Sequence, residues 1–293
     1  MEPFRLTFTA KRNQLLREAL AEWGLSKRTL TAVKYDGGQL LVNGEEKTVR
    51  HLLDIGDAVT VVFPVEKRSG GLLAEQGPLQ IIFEDEAVLV VSKPAGQSTI
   101  PSRDHPDGTL ANFVAGYLER SGTPATVHVV TRLDRDTTGL VCIAKNRHIH
   151  HVLSGQQKSG TMRRQYTALV HGLPEEGKWR IDAPIGRKPG SIIERQVRPD
   201  GQQALTEAEV AGRFCGFTAV RLRLGTGRTH QIRVHLAHCG HPLLGDDLYG
   251  GEAHLIGRQA LHCDRLEFSH PISGELLSFT VPLPDDMSRL IQG

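Results

Sequence analysis

Apolar positions change period along this chain, and each change marks an expected element. Over residues 13–23, Leu15, Leu16, Ala19 and Leu20 fall on one face of a helix, and Gly24 then breaks the pattern. Ser26 stands where an N-cap belongs, which predicts a second helix over 27–34 carrying Leu30 and Val33. Gly37-Gly38 turns the chain into Leu40-Leu41-Val42, and Asn43-Gly44 is a two-residue hairpin signal. Residues 52–57 read as a turn feeding a strand over 58–63. Two helices with a basic edge, followed by a small hairpin, make one self-contained α/β unit.

Pro64 and Lys67-Arg68-Ser69-Gly70-Gly71 then interrupt the apolar pattern. A linker over 67–78 is therefore expected between a small domain at 1–66 and a larger one at 79–293. Beyond it, strands are predicted at 81–83, 88–91, 140–144, 166–170, 218–224 and 277–281, and helices at 110–120, 148–157 and 230–239. Abundant Gly and Pro between them fit an α+β fold, a large mixed, mainly antiparallel sheet with flanking helices, rather than a regular βαβ repeat.

Composition narrows the class. Hydrophobic residues make up 39% and charged residues 23% of the 293, which suits a folded chain with a normal core. No apolar run approaches the roughly 18–20 residues needed to cross a bilayer. The N-terminus also lacks the basic-then-apolar order of a signal peptide, so a cytoplasmic location with no membrane partner is expected. Cys142, Cys215, Cys239 and Cys263 are widely spaced without a Cys-x-x-Cys pair, and buried, reduced thiols are expected. The net charge of +2 by itself indicates no nucleic-acid partner. Its distribution says more. Lys11, Arg12, Arg17, Lys27, Arg28 and Lys34 stand against only Glu18 and Glu22, and nine cations from Lys158 to Arg198 stand against Glu175, Glu176, Asp182 and Glu194. Such concentrations suit phosphate contact, although they are also what a solvated face looks like.

Two stretches can carry chemistry. Thr131-Arg132-Leu133-Asp134-Arg135-Asp136-Thr137-Thr138-Gly139 is a polar loop that feeds an apolar strand. An ionised carboxylate sheltered there can act as nucleophile or base. Asp134 and Asp136 fall on the same side of an extended loop, so alternation does not separate them. The second stretch runs from Gly225-Thr226-Gly227-Arg228-Thr229-His230-Gln231 into Ile232-Arg233-Val234-His235. Its glycines let the backbone turn closely before a helix, and the helix N-terminus is a place for phosphate. On a regular helix His230 and Val234 would share a face, with Arg233 projecting elsewhere. His230, His235, His238, Cys239 and His241 cluster in sequence, but no His-Glu-x-x-His and no Cys-x-x-Cys is present, so no metal is expected.

With these residues in view the chain resembles the RluA-type pseudouridine synthases. The resemblance is carried by Arg132-Leu133-Asp134 with Thr137-Thr138-Gly139, and by Gly227-Arg228-Thr229-His230-Gln231-Ile232-Arg233-Val234-His235 leading to Gly240-His241-Pro242-Leu243-Leu244-Gly245-Asp246. Lys93-Pro94-Ala95-Gly96, Tyr166-Thr167-Ala168-Leu169-Val170-His171-Gly172, and Leu261-His262-Cys263 with Phe268-Ser269-His270-Pro271 resemble the family's other motifs, in family order. Thr131 departs from the usual His, Thr138 replaces Ser and keeps its hydroxyl, and Cys263 stands where Ala is common. The first 66 residues resemble the alpha-L RNA-binding module through Leu25-Ser26-Lys27-Arg28, Lys34, Val42-Asn43-Gly44 and Ile55-Gly56-Asp57.

The resemblance implies isomerisation of uridine to pseudouridine in structured RNA, without a cofactor. It makes Asp134 the catalytic carboxylate, Arg233 its ion-pair partner, Tyr166 a ring that stacks on uracil and Leu261 the apolar wall behind it. It makes Arg132 the residue that inserts into the RNA and holds a flipped base, Lys93 a substrate-binding residue, and Lys27, Arg28 and Lys34 RNA contacts. Large-subunit ribosomal RNA is the implied partner, with transfer RNA open, and a monomer is expected. Two alternatives come from other classes: an RNA-binding or ribosome-assembly factor whose centre has lapsed, and a metal-dependent hydrolase built on the His cluster.

Overall fold

Alternation of buried and exposed side chains organises the first 66 residues of the computed structural model, which describes residues 3–66, 71–103, 105–123, 125–175 and 177–292. Strand β1 (Arg5–Thr9) is followed by β2 (Gln14–Leu15), α1 (Leu16–Glu22), α2 (Lys27–Tyr35), β3 (Gln39–Val42), β4 (Glu45–Glu46), β5 (Leu52–Leu53) and β6 (Ala58–Val62). The sheet order is β1-β6-β3-β4, all antiparallel. Helix α1 starts later than the pattern predicts because Gln14 and Leu15 pair with Leu53 and Leu52. That pairing also makes a short strand of residues expected to be turn. Ser26 caps α2 as predicted, its Oγ accepting the Thr29 N–H at 3.1 Å. Asn43 (φ 51) and Gly44 (φ 86) are both left-handed, as a tight hairpin requires. Leu16, Leu20, Val33, Val42, Leu53 and Val61 form the buried centre of this unit.

Within the joint expected at 67–78, Lys67, Arg68, Ser69 and Gly70 lie outside the described residues, as does Glu176 of the second basic stretch. The chain then runs through β7 (Gln80–Glu84), β8 (Val88–Lys93), α3 (Leu110–Arg120), β9 (His128–Val129), β10 (Thr138–Ala144), α4 (Arg147–Ser159), β11 (Arg163–His171) and β12 (Lys178–Asp182). A separate ribbon of β13 (Ile185–Arg187) and β14 (Arg195–Val197) comes next. Strands β15 (Leu205–Arg213) and β16 (Phe217–Leu224), helix α5 (Gln231–His238), strands β17 (Leu261–Ser269) and β18 (Leu276–Thr280), and helix α6 (Asp285–Gln292) complete it.

The large sheet has the order β12-β15-β16-β11-β17-β10-β8-β7, with β18 added to β17 and β9 to β10. Among the described residues only β10 and β17 pair in parallel, so the α+β reading of a mixed, mainly antiparallel sheet holds. Strand β10 is an interior strand of it and is buried at every position from Thr138 to Ala144. Helices α3 and α4 are capped by Thr109 and Asn146, whose side chains accept the Asn112 and Ile149 N–H groups. Glu66 ties the two parts together. It accepts from Thr126 Oγ1 and the Arg147 N–H and pairs with His128 Nε2, each within 2.7 Å. No helix among the described residues is long and apolar enough to cross a membrane. All four cysteines are free, but only Cys142 and Cys263 are buried; Cys215 and Cys239 are exposed, on a strand-connecting turn and at a helix end where no core reaches them.

Candidate active site

Between β9 and β10 the chain has no sheet partner of its own, and neighbouring segments satisfy its polar groups. Thr131 is fully buried, and its hydroxyl accepts the Cys142 N–H at 2.9 Å. The residue that departs from the family pattern is thus a tie to β10. Thr99 clamps Leu133 from both sides, accepting from its N–H at 3.1 Å and donating to its carbonyl at 2.7 Å. Thr137 N–H reaches back to the Asp134 carbonyl at 3.1 Å, closing a turn over 134–137. Gly139 has φ 111, and a Cβ there would sit 2.2 Å from the Cys263 carbonyl oxygen, so only glycine lets β10 lie against β17 at this point. Thr138 Oγ1 shares a 2.7 Å hydrogen bond with His262 Nδ1, which fixes the two strands in register.

This loop separates its two aspartates. Asp134 lines a cavity of about 520 Å³ and is the only carboxylate among the described residues that does so. Asp136 turns away toward Arg135, and its carbonyl accepts from Arg258 Nη1 at 3.0 Å. The ambiguity left by sequence alternation is resolved by the turn, which breaks the extended geometry that would have aligned them.

Arg233 comes to Asp134 from α5, Nη1 to Oδ2 at 3.4 Å. Its stronger contacts lie behind it, where Nε and Nη2 grip both oxygens of Asp246 at 2.8 Å in a bidentate pair. Asp246 is fully buried and Arg233 nearly so. Burial works against the guanidinium's charge, but the Asp246 hydrogen bonds and the nearby carboxylates outweigh it and hold the proton more firmly. The guanidinium also lies over the Tyr249 ring, 5.0 Å from its centre. Arg233 is therefore locked by Asp246 and Tyr249 and presents one remaining N–H edge to Asp134.

Arg233 and His230 line the same cavity, contrary to the expectation that they project apart. The cause is local: His230 has φ 57 and precedes the first helical turn, so it leaves the register of α5. Gln231 holds that turn, its Oε1 accepting from Arg228 N–H at 2.9 Å and Thr226 Oγ1 at 2.7 Å.

Tyr166 and Leu261 are buried residues at the cavity wall, and Arg132 is exposed at its edge without an ion pair among the described residues. Burial pushes the Tyr166 phenol up, out of the usual range, and Arg164 Nη1 donates to its oxygen at 3.2 Å. Lys93 does not meet the cavity. It is 1% exposed, and Nζ donates to the carbonyls of Pro94, Gln97 and Arg135, each at 2.8 Å. Burial lowers its ammonium to about 7 against the pull of Asp136 and Asp134. All three donors are consumed, so Lys93 staples two loops beside the cavity. Lys27, Arg28 and Lys34 are exposed on α2 and take no part in lining this cavity.

In the His cluster, His235 is buried with Nδ1 bonded to Thr206 Oγ1 and Nε2 to the Ala183 carbonyl, both at 2.9 Å. Among the described residues no three His, Cys, Asp or Glu side chains converge as a metal set. Asp246, Tyr249 and Arg164 contact the residues of this cavity without a role from sequence reasoning, and His230 was considered only as a member of the His cluster. Asp246 closed a quoted motif, and that was its one available signal.

Known proteins are similar to this chain in sequence and in fold. A family model described as RNA pseudouridylate synthase matches residues 87–238. The chain is 52% identical over 278 residues, covering 95% of this chain and 98% of its relative, to an uncharacterized RNA pseudouridine synthase, YjbO, of Bacillus subtilis (strain 168). It is 38% identical to the ribosomal large subunit pseudouridine synthase D of Xanthomonas campestris pv. campestris, over 94% of this chain and 83% of that one. The solved structure of human RNA pseudouridylate synthase domain containing 4 aligns with a TM-score of 0.59 at 21% identity, covering 73% of this chain and 92% of that one, a likeness of fold.

Proposed function

Because this chain belongs to the RNA pseudouridylate synthase family and isomerises uridine to pseudouridine in RNA, we propose that Asp134 is its catalytic carboxylate, acting on a uridine flipped out of the RNA fold. The observation that carries this reading is that Asp134 alone among carboxylates of the described residues lines the cavity, with Arg233 fixed behind it. The reaction opens the bond from ribose C1′ to uracil N1, turns the ring and closes C1′ onto C5. The proton on C5 leaves and N1 gains one, so atoms balance without an oxidant or a phosphate donor. One carboxylate serves this either by attacking C1′ or by removing a ribose proton.

A stacked uridine is out of reach of a recessed carboxylate, and flipping it costs a few kcal/mol, about what the site can return. Tyr166 offers a ring for the displaced base, worth about 1–3 kcal/mol if it stacks. Leu261 forms the wall behind it, and the exposed Arg132 fills the gap left in the RNA. Lys27, Arg28 and Lys34 supply phosphate contacts from α2, and the small domain at 1–66 acts as the RNA-docking part, joined by 67–78 to the catalytic part at 79–293. Relatives named for ribosomal large-subunit modification support large-subunit ribosomal RNA as the substrate. The chain meets it in the cytoplasm as a monomer.

The test is tritium release from carbon-5-labelled uridine in ribosomal and transfer RNA isolated from cells lacking this gene. Release from the large-subunit RNA, and none from the same RNA of parental cells, is expected. Release confined to transfer RNA would overturn the substrate assignment.

A further inference from the structure

His230 is, with the hairpin residue Asn43, one of two non-glycine residues of positive φ among those described. It is the third residue of a turn closed by the Gln231 N–H on the Arg228 carbonyl at 3.1 Å, a place where glycine is the usual occupant, so histidine there points to a use for its side chain. The usual reason for an irregular residue at a helix start is capping, and here the His230 side chain makes no capping bond. The Gln231 Oε1 accepts the Arg228 N–H at 2.9 Å and so holds the turn ahead of the helix. The twist of the backbone instead delivers the imidazole to the cavity that holds Asp134.

Its other side is fixed. His230 Nδ1 lies 2.8 Å from the Tyr249 hydroxyl, and the ring edges meet at 82°. That hydroxyl already accepts the Arg195 N–H at 2.9 Å, and its proton has no acceptor other than His230 Nδ1 among the described residues. Tyr249 therefore donates to Nδ1, which leaves the ring hydrogen on Nε2, an atom with no partner among the described residues. Burial lowers the imidazole's affinity for a second proton, against the pull of Asp134, which keeps the ring neutral. Tyr249 itself is held by Arg233 stacked on its face. The result is a preset, neutral donor beside the carboxylate.

We propose that His230 donates a hydrogen bond from Nε2 to a carbonyl oxygen of the target uracil and so stabilises the charge that the base takes up. This rests on the pseudouridine-forming reading of the same cavity. When C1′–N1 opens, the electron pair stays on uracil and spreads over N1 and the carbonyl oxygens. No proton leaves His230; the donor strengthens its bond as the oxygen becomes anionic, and the base is free to turn once C1′–N1 is broken. A donor fixed in place before the reaction binds the uncharged base weakly and the anion strongly.

The experiment is single-turnover tritium release by the full chain from large-subunit ribosomal RNA of cells lacking this gene, with His230→Gly. Glycine adopts the left-handed backbone freely and leaves a hole the size of imidazole. The expected result is a rate about 100-fold lower at unchanged RNA affinity, as for loss of one preset donor, and recovery of at least roughly tenfold on adding imidazole. A rate within about threefold of wild type, a defect confined to RNA affinity, or no recovery with imidazole would overturn the proposal. Should His230→Gly lose its fold by circular dichroism, His230→Asn, which also tolerates positive φ but has a shorter reach, carries the same expected rate loss. If the wild-type chain releases no tritium, the reading of the cavity fails; if it does and His230→Gly matches it, only this inference fails.

Discussion

Replacing Asp246 by Asn probes the lock behind the Asp134–Arg233 pair. In the native chain Asp246 is fully buried and takes two 2.8 Å bonds from Arg233. The amide keeps the shape but offers one acceptor instead of two and turns an NH₂ toward a guanidinium. An unpaired buried charge costs about 3–5 kcal/mol. Taking about 3 kcal/mol, because one bond survives, the melting temperature should fall by roughly 6–12 °C for a chain of this size. Arg233 is then left with Asp134 as its remaining carboxylate, and the 3.4 Å contact should tighten and occupy the oxygen meant for substrate. Single-turnover tritium release should fall at least roughly tenfold while RNA affinity holds, since neither residue is at the surface. The double variant Asp246→Leu with Arg233→Met replaces the pair by apolar groups and should regain most of the lost melting temperature without any activity. Asp246→Asn melting within about 2 °C of wild type and turning over normally would refute the reasoning.

Two further outcomes follow from other parts of the fold. Glu66 is pulled down to about 2 from an ordinary value of 4.5, burial opposing and the hydrogen bonds from His128, Arg147 N–H and Thr126 prevailing. A depressed carboxyl adds stability above its unfolded value and loses it as pH falls toward its folded one, so about 3 kcal/mol should disappear between pH 4.5 and 2, a loss that Glu66→Gln lacks in acid-unfolding curves. Arg132→Ala removes an exposed side chain with no ion pair among the described residues, so its melting temperature should match wild type while pseudouridine formation collapses, read by the same tritium assay. Normal turnover in Arg132→Ala would remove its role in holding the flipped base.

Local pattern was enough for elements that stabilise themselves or pack on one face. Helix α3 was legible to the residue, because Leu110, Val114 and Leu118 repeat with helical spacing behind a Thr cap. Strand β15 was not, because Leu205–Arg213 mixes Ala, Gly and Glu and owes its shape to pairing with β12 and β16. Strand β17 was unread for a similar reason, since His262, Cys263 and Asp264 interrupt its alternation and a register shift against β11 follows. The site divides in the same way. Asp134, Arg233, Tyr166 and Leu261 converge as their motifs imply, since each sits on or beside a sheet strand or α5. Lys93 did not follow, because a motif fixes a residue but not which way its side chain points. Asp246 and Tyr249 flank and end a single 3-10 turn (Asp247–Tyr249) too short for periodicity, and their partners are set only by tertiary contact.

The central claim is that Asp134 performs the chemistry and that the rest of the site binds and positions. It is tested by Asp134→Asn, which is nearly isosteric and removes the charge while leaving the Arg233–Asp246 pair intact. Tritium release from large-subunit ribosomal RNA should vanish while RNA affinity stays within about threefold of wild type, because binding comes from groups other than the carboxylate. Turnover retained in Asp134→Asn would contradict the account.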